Sequence, residues 1–311
     1  MKISVFIPTY NAIKTSRDAF IATLNTLKAA NLYKVLIIDS SSKDDTVAVV
    51  NEYGFECKVI PQSEFNHGGT RNNAFLYLED SDYIIYLTQD ALITDVEALY
   101  KLVEPLISDP SIAGSYGRQV PHQDADIFAK HLRLFNYLRG SYVRGYKDRF
   151  VWGMDCVFSS DSYAAYSVAA LKKIGGFPKN VIFGEDVYVF AKLVKAGYNV
   201  AYVADAVCYH SHNYKVGNDF SRYFDIGVFH RSENWILDDF GQLNKRGIKY
   251  AISEWVYVLR SKPWLFPKSI FKSFAKFLGY KLGYNYTKLS MGLCRRFSMN
   301  AEFWNKPVTA G

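Results

Sequence analysis

Cysteine is scarce. The 311 residues contain four, Cys57, Cys156, Cys208 and Cys294, and no two form a C-x-x-C pair. A disulfide scaffold and a zinc knuckle are therefore not indicated, and a reducing cytoplasm fits. Long apolar runs are missing too: none reaches the ~18 residues of a membrane span. The opening stretch, Met1 to Pro8, is too short and too alternating for a signal peptide. No G-x-G-x-x-G follows the first apolar segment and no lysine-bearing phosphate loop occurs, so a Rossmann dehydrogenase and a P-loop NTPase are disfavoured. Repeats and low-complexity segments are also lacking. Acids are rare at one end. Residues 243–311 carry thirteen Lys/Arg against Glu254 and Glu302, a surplus of +11, so residues 1–242 hold −4 of the total +7. The basic character belongs to the tail. It suggests an anionic partner, a membrane surface or a nucleic acid, and the acidic body argues against nucleic acid.

What is present is a large apolar fraction, 49%, enough for a sizeable core. Strand and helix patterns alternate. Residues 2–8 read as a first strand closed by Pro8, and 15–30 as a helix with Phe20, Leu24 and Leu27 at core spacing. Val35 to Ile38 is a second strand, followed by a capping-box-like Ser42-x-x-Asp45 and a helix through Tyr53. Cys57 to Ile60 reads as a third strand. The loop Phe65 to Asn73 opens a third helix, and Tyr83 to Leu87 is a buried strand before a helix from Asp95 to about Ser108. Further on, Gly114 to Gln119 reads as strand and loop, Ile127 to Arg139 as helical, and 168–174 as a short helix stopped by Gly175-Gly176. Glu185-Asp186 opens a helix ending near Gly197, and two short strands follow, Val200 to Val203 and Val207 to His210. The alternation predicts an α/β fold with a mostly parallel central sheet flanked by helices. Its polar loops, falling after strands, gather along one edge.

Those loops offer candidates. Asp39 ends the second strand, Arg71 follows a double glycine, Asp90 ends the strand 83–87 within Thr88-Gln89-Asp90, and Glu185-Asp186 start a helix. Singly, each has a commonplace reading: a turn or cap for Asp39 and Asp90, a surface ion pair for Arg71, first-turn charge for Glu185 and Asp186. Sharing one edge, they read better as a site in which Asp90 holds a divalent metal and the metal a diphosphate.

The ordered set Pro8-Thr9-Tyr10-Asn11, Ile38-Asp39-Ser40-Ser41-Ser42-x-Asp44-x-Thr46, Thr88-Gln89-Asp90, Gly175-Gly176-Phe177 and Gly184-Glu185-Asp186 resembles glycosyltransferase family 2 over residues 3 to about 215. A narrower resemblance, to bacterial dTDP-rhamnosyltransferases of O-antigen and capsule assembly, lies in Phe65 to Asn72, Thr88-Gln89-Asp90 and Tyr116-Gly117-Arg118-Gln119. The resemblance implies a GT-A fold in residues 1–215, with 1–117 binding the nucleotide sugar and 118–215 the acceptor and catalytic part. Residues 216–311 are then a helical, basic extension. It implies an inverting, metal-dependent transferase acting on a saccharide or polyprenyl-linked acceptor, with Mg²⁺ or Mn²⁺ as cofactor, peripheral on the inner face of the cell membrane.

Under that resemblance Pro8, Thr9, Tyr10, Asn11 and Ser41 line the nucleoside pocket, and Asp39 accepts from a pyrimidine imide N–H. Arg71 pairs with the diphosphate, as a guanidinium suits phosphate oxygens. His67, Gly68, Gly69 and Gln89 belong to the same pocket, the glycines letting the backbone come close. Arg118 and Gln119 lie by the sugar or diphosphate, Asp161 and Ser162 by the acceptor or donor sugar, and Trp152 stacks on a sugar or packs in the core. Asp90 coordinates the metal. The family motif has an acid where Thr88 stands, so a second ligand is sought in His210-Ser211-His212, with His212 preferred. Asp186 is the general base, with Glu185 beside it. Other readings are a UDP-hexose donor, a sugar-1-phosphate nucleotidyltransferase, and a non-catalytic sugar-nucleotide scaffold. In the tail, Lys268, Lys272 and Lys276 recur at i, i+4, i+8 opposite Ile270, Phe274 and Leu278. That spacing predicts a basic amphipathic helix, its lysine face either solvated or on lipid.

Overall fold

The computed structural model describes residues 1–241 and 244–305. Its strands are β1 Ile3–Thr9, β2 Lys34–Asp39, β3 Glu56–Val59, β4 Tyr83–Leu87, β5 Ile112–Val120, β6 Tyr142–Arg144, β7 Tyr163–Ser167 and β8 Asn199–Tyr209. The helices are α1 Ala12–Ala29, α2 Thr46–Glu52, α3 His67–Tyr77, α4 Val96–Ser108, α5 Ile127–Asn136, α6 Arg149–Trp152, α7 Val168–Ile174, α8 Glu185–Lys195, α9 Val216–Ser232, α10 Asn234–Phe240, α11 Asn244–Ser261, α12 Phe266–Tyr284 and α13 Met291–Phe297.

One sheet runs β3-β2-β1-β4-β7-β5-β8-β6. The β1–β2, β2–β3, β1–β4 and β5–β8 pairs are parallel, while β7 lies antiparallel between β4 and β5 and β6 antiparallel on β8. Side chains alternate across it. Phe6, Leu36 and Tyr86 enter one core, and Val5, Ile37 and Leu87 the other. Burial on both faces is why these strands read as unbroken apolar runs. Strand order reverses between β1 and β4, and the crevice outside that switch point is where such sheets bind ligands.

Several boundaries differ from expectation. Ser42-x-x-Asp45 forms no capping box: the Ser42 hydroxyl donates to Asp39, and Asp44 accepts from the Thr46 amide. The helix α1 begins at Ala12, three residues early, with a non-helical Ser16 inside it. The paired segments 200–203 and 207–210 are one strand, β8, with a register shift against β5 around Ala204 to Ala206. Two strands, β6 and β7, had no signal. The β7 segment is Tyr-Ala-Ala-Tyr-Ser, and alanine has little intrinsic strand preference; cross-strand neighbours decide.

The tail packs on the body. Phe224, Val228, Ile236 and Trp304 belong to the same buried cluster as Phe6 and Tyr86. Helices α9 and α12 touch backbone to backbone through glycines: a Cβ on Gly283 would stand 1.9 Å from the Phe224 carbonyl oxygen, and one on Gly279 2.3 Å from that of Phe220. Of the lysine face of α12, Lys268 is exposed, but Lys272 and Lys276 turn inward. Lys272 is 2% exposed, pairs with Asp219 at 2.5 Å and donates to the Tyr214 carbonyl. Lys276 pairs with buried Glu254 at 3.3 Å. Two buried acids on neighbouring helices turned α12 around, and its phenylalanines face outward. Among the described residues no helix is long and apolar enough to cross a membrane.

Candidate active site

At the switch point, Gln89 clamps two loops. Its Oε1 accepts from the Tyr10 amide at 2.8 Å, and its Nε2 donates to the Tyr10 carbonyl and the Thr15 hydroxyl. The adjoining loop after β2 is organised by Asp39. This carboxylate is fully buried and accepts from the Thr9 hydroxyl (2.8 Å), the Ser42 amide (2.7 Å) and the Ser42 hydroxyl (2.6 Å). A cleft of about 2220 Å³ opens beside these loops and continues along β5 and β8 to α9 and α12.

On its wall, Asp90 Oδ2 lies 3.4 Å from His210 Nε2 and 3.5 Å from His212 Nε2. Local structure explains the meeting. Leu92 and Tyr209 exchange backbone hydrogen bonds of 2.9 and 3.0 Å, tying the Asp90 turn to the end of β8. Two residues apart in extended chain, His210 and His212 face the same way. Behind them, His210 Nδ1 is 2.9 Å from Gln119 Oε1 and 3.1 Å from Arg133 Nη2, contacts that hold the ring with Nε2 toward Asp90. Burial lowers the His210 imidazole, and burial with His210 beside it pushes His212 down to about 4. Burial alone would raise Asp90, but the hydrogen bond from His210 and the neighbouring imidazoles hold it well below the usual carboxylate range. At neutral pH the trio is one carboxylate and two neutral imidazoles, with ligand atoms all within 4.8 Å of one another. That donor set fits a divalent cation.

Further along, two carboxylates share one guanidinium, and a third, Asp186, lies beside them. Arg71 Nε is 3.1 Å from Asp161 Oδ2, and its Nη1 is 3.1 Å from Glu185 Oε1. Tyr166 donates to Asp161 Oδ1 at 2.5 Å. Asp186, at the first turn of α8 after a left-handed Gly184, reaches the cleft and accepts from the amides of Val187 and Asp161. Burial opposes charge on Glu185, yet Arg71 overrides it and keeps this group ionised. Burial and the Glu185 charge instead raise Asp186, to about 6, and burial raises Asp161. A partly buried carboxylate with no cation of its own, poised near neutral pH, has the character of a general base.

The cleft wall brings together Pro8, Thr9, Tyr10, His67, Arg71, Gln89, Asp90, His212, Glu185 and Asp186, along with Gln119, Asp161 and Ser162. Other candidates lie elsewhere. Asp39 serves the loop rather than the wall. Asn11, in the left-handed region at φ 49°, accepts from the Lys43 amide, and Ser41 donates to the Ile60 carbonyl. Gly68 is needed for packing rather than phosphate approach: a Cβ there would stand 1.9 Å from the Pro178 carbonyl oxygen. Gly69 lies against its helix cap, Asn66. Arg118 alternates away from Gln119 and is absent from the wall. Trp152 stacks on Tyr142 and under Arg144, away from the cleft. Arg71 is already neutralised by two carboxylates, and Glu185 by Arg71. Sequence reading missed Arg133 and Arg222 on the wall; Arg133 donates to the His210 carbonyl at 2.6 Å. Helical spacing gave no hint of either, because the helices carrying them meet the site only in three dimensions.

Comparison with known proteins agrees with this geometry. Residues 4–175 match the model for glycosyl transferase family 2. O-antigen chain rhamnosyltransferase RfbN of Salmonella typhimurium strain LT2 is 43% identical over 98% of this chain and 96% of its own. O-antigen chain rhamnosyltransferase WbaN of Salmonella anatum is 41% identical over 97% and 95%. Among solved structures, the mannosyltransferase PcManGT from Pyrobaculum calidifontis, in complex with GDP-Man and Mn²⁺, superposes with TM-score 0.55 at 17% identity, covering 98% of this chain and 85% of that one. S. aureus TarS 1–349 with UDP gives 0.54 at 14%, covering 93% and 91%. The structural likeness shows the GT-A fold. With the family model spanning more than half the chain and relatives above 40% identity along nearly all of it, the chain belongs to glycosyl transferase family 2.

Proposed function

We propose that this glycosyltransferase moves rhamnose from dTDP-rhamnose, with inversion, onto a saccharide carried by a polyprenyl-linked acceptor, at the cytoplasmic face of the cell membrane. The rhamnosyltransferases RfbN and WbaN, similar along their whole length, support the donor sugar and the surface-polysaccharide setting. The observation that carries the reading is one cleft holding the Thr9-Tyr10 loop, the Asp90–His210–His212 trio and Asp186.

The roles follow from chemistry. Thr9 and Tyr10 flank the nucleoside. Arg133 and Arg222 supply positive charge to the diphosphate, a part Arg71 is too committed to take. A divalent ion held by Asp90, His210 and His212 would neutralise charge on the leaving diphosphate. Two imidazoles make the donor set softer than an all-oxygen one, which favours Mn²⁺ over Mg²⁺. The Asp186 carboxylate takes the acceptor hydroxyl proton as the new oxygen–anomeric carbon bond forms and the bond to the diphosphate breaks, releasing dTDP. Asp161, Arg71 and Glu185 hold the first turn of α8, and so Asp186, in place.

A thermal-shift panel of nucleotide sugars with and without Mn²⁺ tests the donor. The expected result is stabilisation by dTDP-rhamnose, larger with metal. Stabilisation by UDP-glucose or UDP-N-acetylglucosamine alone overturns the reading.

A further inference from the structure

Amphipathic helices of water-soluble folds put aromatics inside and lysines outside. The middle of α12 does the reverse. Lys272 and Lys276 are buried against Asp219 and Glu254, while Phe271, Phe274 and Phe277 are 66%, 60% and 58% exposed. At about 100° per residue these phenylalanines form one stripe on α12. Ile252, Val256 and Leu259 form a second exposed stripe on α11. The hydrogen bond from Trp255 Nε1 to Ser273 Oγ, 3.2 Å, joins the helices along the seam between the two stripes. At the tip joining the helices stands Trp264, 72% exposed. Clusters of exposed large apolar side chains of this kind mark interaction surfaces.

Charge identifies the occupant. From Arg246 to Tyr284 the single acid is Glu254, which is buried, so the exposed charges at the ridge are Lys249, Arg260, Lys262, Lys268 and Lys281, all positive. An apolar ridge with a cationic rim and a tryptophan at its end matches the headgroup region of an anionic bilayer. A second copy of this chain would set like charges against each other. Neither helix is apolar enough to cross the bilayer. The ridge is continuous with the cleft, since Ile248 and Phe277 line both.

We infer that the aromatic ridge of α11 and α12 is a docking surface for an anionic lipid bilayer, lying in its interface and turning the cleft mouth toward membrane-borne acceptor. This rests on the reading of a lipid-linked acceptor. The test is sedimentation of the full chain with vesicles of phosphatidylcholine alone or mixed with phosphatidylglycerol. Binding to the mixed vesicles is expected, tenfold or more weaker on phosphatidylcholine alone. The double variant Phe271→Ser/Phe274→Ser should lose on the order of a hundredfold. The triple variant Arg260→Gln/Lys262→Gln/Lys268→Gln should lose about tenfold and respond less to salt. All five side chains are exposed and off the cleft wall, so melting temperature and transfer to a water-soluble acceptor should stay at the wild-type level. The inference is overturned by wild-type protein that ignores anionic vesicles, by a phenylalanine variant that binds them equally, or by a wild-type dimer that the phenylalanine changes dissociate without lipid. Transfer activity without vesicle binding removes the docking surface alone; vesicle binding without rhamnosyl transfer removes the proposed function and leaves the surface.

Discussion

Arg71 and Glu185 form a buried ion pair, Nη1 to Oε1 3.1 Å, directly beneath the residue that faces the cleft. The pair consumes the charge of Glu185 and leaves Asp186, its neighbour, as the carboxylate without a cation. The family resemblance already assigned Asp186 as base with Glu185 beside it; under the proposed mechanism Glu185 is the positioning residue and Asp186 the base.

Asp186→Asn should therefore lower kcat by about 10² to 10⁴ while donor binding survives, since a general base contributes to the transition state and not to the ground-state complex. Glu185→Gln leaves Arg71 short of one partner and should lower the melting temperature as well as kcat. Steady-state release of dTDP, with donor affinity measured separately, checks both. Near-wild-type turnover in Asp186→Asn would remove the base assignment.

The pH profile follows from the same burial. Asp186 is raised to about 6 and must be ionised to act. Turnover should rise with pH, about tenfold per unit below 6, and level off above 7. A profile flat from pH 5 to 7 would contradict it, as would loss of the acid limb failing to accompany Asp186→Asn.

Metal dependence should follow the trio. Asp90→Asn, His210→Ala and His212→Ala should each weaken Mn²⁺ binding, measured by calorimetry without donor. Gln119→Ala, which removes the side chain behind His210 Nδ1, should cost about 10- to 100-fold in metal affinity. If His212→Ala alone abolished binding and His210→Ala had no effect, the two-imidazole site would be wrong.

How much of this was legible in the sequence depended on the range of the contacts. Buried parallel strands announce themselves as apolar runs, so β1, β2 and β4 and the loops after them were readable. Strand β7 was not, because Ala164 and Ala165 are held by neighbours distant in sequence. Spacing alone pointed to His210-Ser211-His212 but not to both rings; the Leu92–Tyr209 bridge decides that. The lysines of α12 misled because periodicity gives the faces of a helix but not which one turns inward. Asp219 and Glu254, 53 and 22 residues away from Lys272 and Lys276, settle it.

That burial carries a stability prediction. Glu254→Gln removes the ion-pair partner of buried Lys276 and should cost about 3–5 kcal/mol. Pairing it with Lys276→Met should recover most of the loss. Urea melts of the two variants check this; equal destabilisation by the single and double changes would contradict it. Gly283→Ala should destabilise by about 1–3 kcal/mol or more, since its Cβ meets backbone that a rotamer change cannot move.

Transfer of rhamnose from dTDP-rhamnose can be followed directly. Purified protein, Mn²⁺ and lipid-linked saccharide acceptor should convert dTDP-rhamnose to dTDP and an acceptor heavier by one deoxyhexose, followed by mass spectrometry. That product is expected with wild-type protein, lost on chelation and in Asp186→Asn, and absent with UDP-glucose or UDP-N-acetylglucosamine. A hexose or N-acetylhexosamine product, with dTDP-rhamnose left intact, would contradict it.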